Sequence, residues 1–103
     1  MEKKIGRIVD GYIHKIYKDG AYKRIVIRMP GPRGDELKGI RVGRTMLSRM
    51  KKDGFDEGRH IGTHIIGYYD EWTNEMFELH WNTGNDGKYS EVNAGFFKTH
   101  YIW

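Results

Sequence analysis

The chain has 103 residues, of which 18 are Lys or Arg and 14 are Asp or Glu, giving a net charge of +4. This length suffices for one domain with a modest core, and the lack of cysteine excludes a disulfide framework and a thiolate metal site. No apolar run approaches the ~18 residues of a transmembrane helix, and the first residues do not resemble a signal peptide. The sequence therefore predicts a soluble, cytoplasmic protein with a single domain over residues 1–103.

The composition is both basic and aromatic, with aromatic residues at 14%. Proteins that bind single-stranded nucleic acid use this combination, because cations bind phosphates and flat rings stack on bases. Aromatic residues also fill small β cores. The composition therefore permits an anionic partner without requiring one.

The first part of the chain predicts two strands joined by a tight turn. Residues 5–17 nearly alternate apolar and polar side chains, and the Asp-Gly pair at 19–20 supplies turn chemistry. Residues 21–29 predict a second strand, with Ile25 and Ile27 on one face. Because successive side chains of a strand point to opposite sides, the other face carries Tyr22, Arg24, Val26 and Arg28.

The middle of the chain predicts a loop, a short strand and a short helix. Residues 30–38 contain both prolines and predict a long loop, and residues 39–43 predict a third strand. A helix follows, with Thr45 as its N-cap and Gly54 at its end. Its apolar stripe is Met46, Leu47 and Met50.

The last part of the chain predicts two strands and a C-terminal addition. Residues 60–69 and 75–81 are the fourth and fifth strands, separated by a turn, and residues 82–88 carry a strong turn signal. The remaining residues predict at least one more strand. Its expected faces are Phe97, Tyr101 and Trp103 on one side, and Phe96 and Ile102 on the other.

The order of these elements is three strands, a short helix, two strands and an added strand or hairpin. One short helix between the third and fourth strands is the layout of the OB-fold, a small Greek-key barrel. Glycines within strands fit a tight barrel, whose strands must coil and bend. The predicted fold class is all-β with one short helix: an OB-like five-stranded barrel over residues 1–82, with residues 83–103 packed on it as an extension.

The first strand carries a regular pattern, Gly6, Ile8, Gly11, Ile13 and Ile16, followed by a Gly-Ala-Tyr triplet at 20–22. A second pattern comprises Gly58, Ile61, Thr63, Ile65, Ile66 and Gly67. Over residues 5–28 and 58–70 the chain resembles the S-one domain, the RNA-binding OB-fold repeat named after a small-subunit ribosomal protein. The resemblance implies an RNA-binding barrel, with Tyr22 where the family stacks an aromatic ring on a base. Lys23 stands where the family prefers an inward aliphatic residue.

An OB-fold binds nucleic acid on the outer face of strands two and three and on neighbouring loops. The predicted nucleic-acid-binding residues are one tyrosine and six cations from this region: Lys18, Tyr22, Arg24, Arg28, Arg33, Arg41 and Arg44. We expect single-stranded RNA or DNA, with RNA favoured. The alternative is a solvated sheet face whose charges prevent edge pairing.

No metal site, cofactor or catalytic set is predicted. His60 and His64 have the spacing that pairs ligands on a helix, but on the predicted strand they would lie ~13 Å apart, too far to share one ion. The other histidines, His14, His80 and His100, do not cluster in sequence. The chain has no cysteine nucleophile, nucleophile elbow or phosphate-binding GxxxxGK loop, so we predict a protein that is not an enzyme.

Trp72 falls in the predicted turn between strands four and five. A tryptophan in a turn is hard to bury and can contact a partner. The favoured interpretation is that it packs on the C-terminal strand, where Phe96 and Phe97 need partners. If Trp72 instead contacts a partner, a second hypothesis follows. The protein would then be a protein-interaction module, such as a viral accessory or inhibitory factor, that binds through the barrel, Trp72 or residues 84–103. A small-molecule or nucleotide pocket at the barrel mouth has no specific support in the sequence.

Overall fold

The computed structural model describes the backbone of residues 4–94 and 101–102 and the side chains of residues 5–94. In chain order its elements are β1 (Lys4–Asp19), β2 (Tyr22–Met29), β3 (Glu36–Val42), α1 (Arg44–Lys52), α2 (Glu57–His60), β4 (His64–Asp70), β5 (Met76–Trp81), β6 (Val92–Asn93) and β7 (Tyr101–Ile102).

The long strand β1 is the centre of the sheet because two strands pair along its length. Its C-terminal part, from Tyr12 to Asp19, pairs antiparallel with β2, and its N-terminal part, from Gly6 to Tyr12, pairs antiparallel with β4. The strand order is β3-β2-β1-β4-β5-β6, and β7 pairs with the start of β1 in parallel. One continuous sheet thus runs from β3 to β6.

The sheet closes on itself between β3 and β5. Arg41 and Glu75 form a parallel bridge, and the Arg41 N–H donates to the Asn74 carbonyl at 2.9 Å. The Asn74 side chain donates a second bond, from Nδ2 to the Gly39 carbonyl at 2.7 Å. The order around the barrel is therefore β1-β2-β3-β5-β4, which confirms the predicted all-β, OB-like architecture.

The barrel interior is filled by branched and aromatic side chains. The central members are buried: Val9, Ile13, Ile25, Ile27, Ile40, Val42, Ile65, Leu79 and Trp81. Met46 and Met50 of α1 are also buried in this cluster and Leu47 packs against it, which confirms the predicted apolar stripe. Each such side chain contributes roughly 1.5–3 kcal/mol when fully buried, so the core holds the barrel and α1 together.

The glycine and isoleucine pattern of β1 has two local causes. A Cβ at Gly11 would lie 2.4 Å from the Arg28 carbonyl oxygen, so glycine lets β1 and β2 approach closely at this point. A β-bulge lies between Ile13 and Lys15. Because a bulge adds one residue to the strand, Ile13 and Ile16 both face the core although they are three positions apart. The pattern therefore encodes a strand that bends.

The boundaries of two predicted strands are wrong. β3 begins at Glu36 rather than at residue 39, because Glu36, Leu37 and Lys38 pair with β2 despite their polar, loop-like sequence. β4 begins at His64 rather than at residue 60. The loop between β2 and β3 is correspondingly shorter than the predicted segment 30–38.

The predicted single helix is in fact two. Residues 57–60 form the one-turn helix α2, because the Asp56 side chain accepts hydrogen bonds from the N–H groups of Gly58 and Arg59 at 2.9 and 3.2 Å. Thr45 does not cap α1: the helix begins at Arg44, and its N-cap residue is Gly43.

The C-terminal part adds strands to the barrel, as predicted. β6 pairs with β5, and β7 pairs with β1. The expected faces of Phe96, Phe97 and Trp103, the position of His100, and the side chains of Tyr101 and Ile102 lie outside the described residues. The division of the chain at residue 82 stays a prediction. None of the described helices is both long and apolar enough to cross a membrane.

Candidate nucleic-acid interface

Three tyrosine side chains on the outer face of β1 and β2 each lie beside a cation. The pairs are Arg41 with Tyr22, Arg28 with Tyr12, and Lys15 with Tyr17, at 4.7, 5.0 and 5.5 Å from the charged group to the ring centroid. All three distances are within the ~6 Å of a cation–π interaction. The fold thus gathers aromatic rings and positive charge on one surface, which we call the tyrosine–cation face.

The register of the sheet explains this grouping. Tyr17 lies opposite Arg24, and Arg24 lies opposite Arg41, so one row crosses β1, β2 and β3. A second row pairs Tyr12 with Arg28. Side chains directly opposite each other on a sheet are close enough to interact. The outward alternation predicted for Tyr22, Arg24 and Arg28 therefore places them beside partners from both neighbouring strands.

Tyr12 and Tyr17 were not predicted to belong to this face. They are five positions apart, so in a regular strand they would point to opposite sides. The bulge between Ile13 and Lys15 shifts the alternation and brings both rings outward, with 36% of Tyr12 and 43% of Tyr17 exposed. The three-residue spacing of Ile13 and Ile16 was the signal in the sequence that reveals the bulge.

Two arginines of the face are paired with exposed carboxylates. Arg24 donates to Asp19 from Nε at 3.0 Å and also lies 2.9 Å from it through Nη2. Arg28 lies 3.4 Å from Asp35. Surface ion pairs of this kind are worth about 0–1 kcal/mol, so a phosphate can replace the carboxylate at little cost.

Arg41 has a different environment from Arg24 and Arg28. Its guanidinium lies over the Tyr22 ring, and its Nε is buried without a hydrogen-bond acceptor. No carboxylate among the described residues lies within ion-pair distance of it. Among the described residues, Arg41 therefore differs from Arg24 and Arg28 in having no carboxylate partner for its charge.

The remaining predicted cations are less closely grouped. Lys18 lies opposite Lys23 in the ladder, so it alternates with Tyr17 and does not share its face. Arg33 lies in the loop after β2, at the far end of that strand from Tyr22. Arg44 is exposed at the start of α1 and lines the same pocket as Tyr22. The structure groups Arg44 with Tyr22 and separates Lys18 and Arg33 from it.

Lys23, which stands where the S-one family prefers an inward aliphatic residue, has a local partner. Its side chain is partly buried and forms an ion pair with Glu57 of α2. Since the pair lies at the barrel end, where α2 reaches β2, an inward lysine is accommodated in place of an aliphatic residue.

The histidines have separate surroundings. His64 bonds to Asp10 through Nε2 at 2.6 Å and to the Tyr89 hydroxyl through Nδ1 at 2.5 Å. His60 lies at the end of α2, not on a strand, and is buried against the Phe55 ring at 5.2 Å between centroids. Within residues 5–94, no three His, Asp or Glu side chains are grouped so that they could hold a metal ion.

Trp72 does not pack on the barrel. Its side chain is 78% exposed, so the expectation that it packs on the C-terminal strand is wrong. Asp70 fixes the turn by accepting hydrogen bonds from the N–H groups of Trp72 and Thr73 at 2.8 and 3.1 Å. The turn therefore holds the Trp72 backbone in a defined conformation while the indole projects into solvent.

A pocket of about 300 Å³ opens beside Tyr22, where the β1–β2 turn, the start of α1 and the start of β5 meet. Its lining includes Tyr22, Glu75 and the two buried methionines Met46 and Met76. A Cβ at Gly43 would lie 2.8 Å from Oε1 of Glu75 and 3.7 Å from Cε1 of Tyr22, so the glycine keeps the space between them open. We call this cavity the Glu75 pocket; the sequence offered no specific support for it.

Comparison of the chain with protein-family models, with curated proteins and with solved structures finds no match.

Proposed function

We propose that this protein is a non-enzymatic, S-one-type OB barrel that binds single-stranded nucleic acid, RNA more than DNA, on the tyrosine–cation face. The observation that carries the proposal is the set of three tyrosine rings, each beside a cation, on adjacent strands of one outer surface. A solvated face that only prevents edge pairing needs charge but has no need of exposed aromatic rings.

The chemistry of the face matches the two parts of a single strand. Unpaired bases expose flat surfaces, and stacking a base on an aromatic side chain contributes about 1–3 kcal/mol. Arg24 and Arg28 are four residues apart on β2, about 13 Å, so they can bind phosphates of different nucleotides. A duplex hides its base faces, so the same surface would discriminate against it.

The carboxylates Asp19 and Asp35 fit this proposal as exchangeable partners. They hold Arg24 and Arg28 over the sheet in the free protein. A phosphate that displaces them gains a charge-assisted hydrogen bond to an arginine that is already positioned. Binding would then release counterions from the nucleic acid, which makes the affinity depend steeply on salt.

The proposal is tested by titrating the protein into a labelled single-stranded RNA and a DNA of about ten nucleotides. We expect binding at low salt, an affinity that falls linearly with the logarithm of salt concentration, and weaker binding of a duplex. The double variant Arg24→Gln/Arg28→Gln should lose most of the affinity, whereas the control Lys51→Gln/Lys52→Gln, with the same change in charge on α1, should not. No binding at low salt, or full binding by the Arg24/Arg28 variant, would contradict the proposal.

A second candidate function follows from Trp72. An exposed tryptophan on a turn fixed by hydrogen bonds is suited to enter a pocket of a partner protein. A stoichiometric partner that is recovered after nuclease treatment, and is lost with Trp72→Ala, would support a protein-interaction module. Removal of residues 84–103 tests whether the C-terminal extension takes part.

A cytoplasmic location belongs to the same proposal, and the cysteine-free composition is compatible with it. Fractionation of cells that express the full chain tests it.

A further inference from the structure

The Glu75 pocket has the properties of a site for a single flat ring. Tyr22 contributes an aromatic ring, Met46 and Met76 contribute apolar walls, and the volume is about 300 Å³. Sites for small ligands are mostly apolar, with a few polar groups that fix orientation. Because Tyr22 also belongs to the tyrosine–cation face, a nucleotide bound on that face is adjacent to the pocket.

Glu75 is the acidic residue of the described pocket lining, which also includes the cation Arg44, and its carboxylate has no partner among the described residues. No described residue forms an ion pair with it or donates a hydrogen bond to it. Gly43 leaves room for it, since Oε1 lies only 2.8 Å from where a Cβ of residue 43 would be. An ionised carboxylate offers acceptors and no donors, so a ligand that it binds must present N–H or O–H groups.

The four bases differ in the donors of their Watson–Crick edges. Guanine presents two adjacent donors, N1–H and the N2 amino group, which match the two oxygens of one carboxylate. Adenine and cytosine present one amino donor next to a ring acceptor, and uracil presents one N–H between two carbonyl acceptors. A carboxylate that reads a base edge directly therefore favours guanine, because each other base would place an acceptor against it.

We propose that the Glu75 pocket binds a guanine base of the single strand, with the ring against Tyr22 and N1–H and the N2 amino group donating to Glu75. This inference rests on the proposed function and adds to it a base preference and the residue that determines it. Paired contacts of this kind discriminate between bases by about five- to 150-fold.

The test uses the full chain and single-stranded oligouridines of about ten nucleotides that carry one central guanosine, inosine, adenosine or no substitution. We expect the guanosine strand to bind about tenfold or more tightly than the adenosine strand, with inosine, which lacks the N2 amino group, in between. Glu75→Gln should abolish this preference while binding plain oligouridine at least as well as the wild type, because it removes a negative charge near the strand. Glu71→Gln, in the same turn but paired with Arg7 outside the pocket, is the matched control and should keep the preference.

A second variant tests the pocket without changing charge. The backbone at Gly43 is extended, with φ −78° and ψ 172°, and accepts alanine. The Cβ of Gly43→Ala would displace the Glu75 carboxylate, so this variant should also lose the guanosine preference while keeping its melting temperature.

The outcomes separate the inference from the function on which it rests. Binding of all four strands without a guanosine preference, or a preference that survives Glu75→Gln, would overturn the inference and leave the proposed function standing. Failure of every strand to bind would overturn both. Binding of free guanosine monophosphate without binding of any strand would overturn both as well, since it would assign the pocket to a free nucleotide.

Discussion

The outer surface of the barrel divides along β1 into two halves whose charges are matched in different ways. On the tyrosine–cation face, Arg41 has no described carboxylate partner, and Arg24 and Arg28 have one exposed carboxylate each. On the other half, formed by β4, β5, the start of β1 and Tyr89, which forms a bridge with Asn82 directly after β5, two histidines bond to acids: His64 to Asp10 and His80 to Glu78. We call this second surface the histidine half.

The two halves differ in which side chains their exposed acidic groups pair with. Both halves carry exposed tyrosines, so aromatic content alone does not distinguish them. Tyr12 and Tyr17 of the first half lie beside cations, and Tyr12 also contacts the His64 ring at 5.4 Å between centroids. Tyr89 of the histidine half bonds to His64, which also bonds to Asp10. On the histidine half the exposed carboxylate of Asp10 bonds to a histidine, whereas on the tyrosine–cation face the exposed carboxylates of Asp19 and Asp35 pair with arginines.

The largest expected effect comes from removing one tyrosine from each half. Tyr17 and Tyr89 are 43% and 42% exposed, so they form a matched pair. We expect Tyr17→Ala to weaken binding of single-stranded RNA by about ten- to 100-fold, the value of one stacked base, and Tyr89→Ala to change it less than about twofold. Fluorescence anisotropy with a labelled oligonucleotide measures both. Equal losses would show that the comparison between the halves is wrong.

A smaller effect is expected from arginines that each have one carboxylate partner. Arg28 pairs with Asp35 on the tyrosine–cation face, and Arg7 pairs with Glu71 near the other half. Arg28→Gln should lower the affinity by roughly tenfold at low salt and reduce the salt dependence by about one phosphate contact, a slope change of ~0.7. Arg7→Gln should leave the slope unchanged. If Arg28→Gln and Arg7→Gln changed the salt dependence equally, the RNA affinity would depend on the total surface charge and not on the tyrosine–cation face.

The hydrogen bonds of the histidine half are expected to act on stability alone. Tyr89→Phe removes the hydroxyl that bonds to His64 and should lower the free energy of unfolding by about 0.5–1.5 kcal/mol, with RNA binding unchanged. Urea denaturation and the binding assay together measure this. Weaker RNA binding at unchanged stability would place the histidine half in the binding surface.

The smallest expected effect is a gain of affinity. Asp19→Asn removes the carboxylate that competes for Arg24, so binding should tighten by up to about fivefold at low salt, because the lost ion pair is worth about 0–1 kcal/mol. Asp10→Asn makes the same change on the histidine half and should have no such effect. Weaker binding by Asp19→Asn would indicate that positioning of Arg24 by the carboxylate contributes more to the affinity than its competition with phosphate costs.

Strand alternation alone predicted about half of the tyrosine–cation face. Tyr22, Arg24 and Arg28 were assigned to the outer face from a regular strand, and β2 is regular. Tyr12 and Tyr17 were missed because their common face depends on a bulge, which shifts the alternation by one residue. The three-residue spacing of the core positions Ile13 and Ile16 indicates this shift in the sequence.

Contacts between distant parts of the chain could not be predicted from the sequence. The barrel layout followed from the order of the elements, but its closure depends on Asn74 bonding to Arg41 and Gly39, which no local pattern encodes. Glu75 was missed for the same reason, since its pocket exists only where β5 meets the start of α1. The prediction that Trp72 lies in a turn is confirmed, whereas the prediction that it packs on the C-terminal strand is wrong.

The most direct test of the central claim is an NMR titration of the isotope-labelled protein with a single-stranded RNA of about ten nucleotides. The account predicts that the amide signals that shift most belong to the tyrosine–cation face, including Tyr12, Tyr17, Arg24, Arg28 and Arg41. It also predicts that signals around His80 and Glu78 stay in place, whereas His64, whose ring lies 5.4 Å from that of Tyr12, is expected to respond with the face. Shifts confined to the histidine half or to the Trp72 turn, or no shifts at low salt, would contradict it.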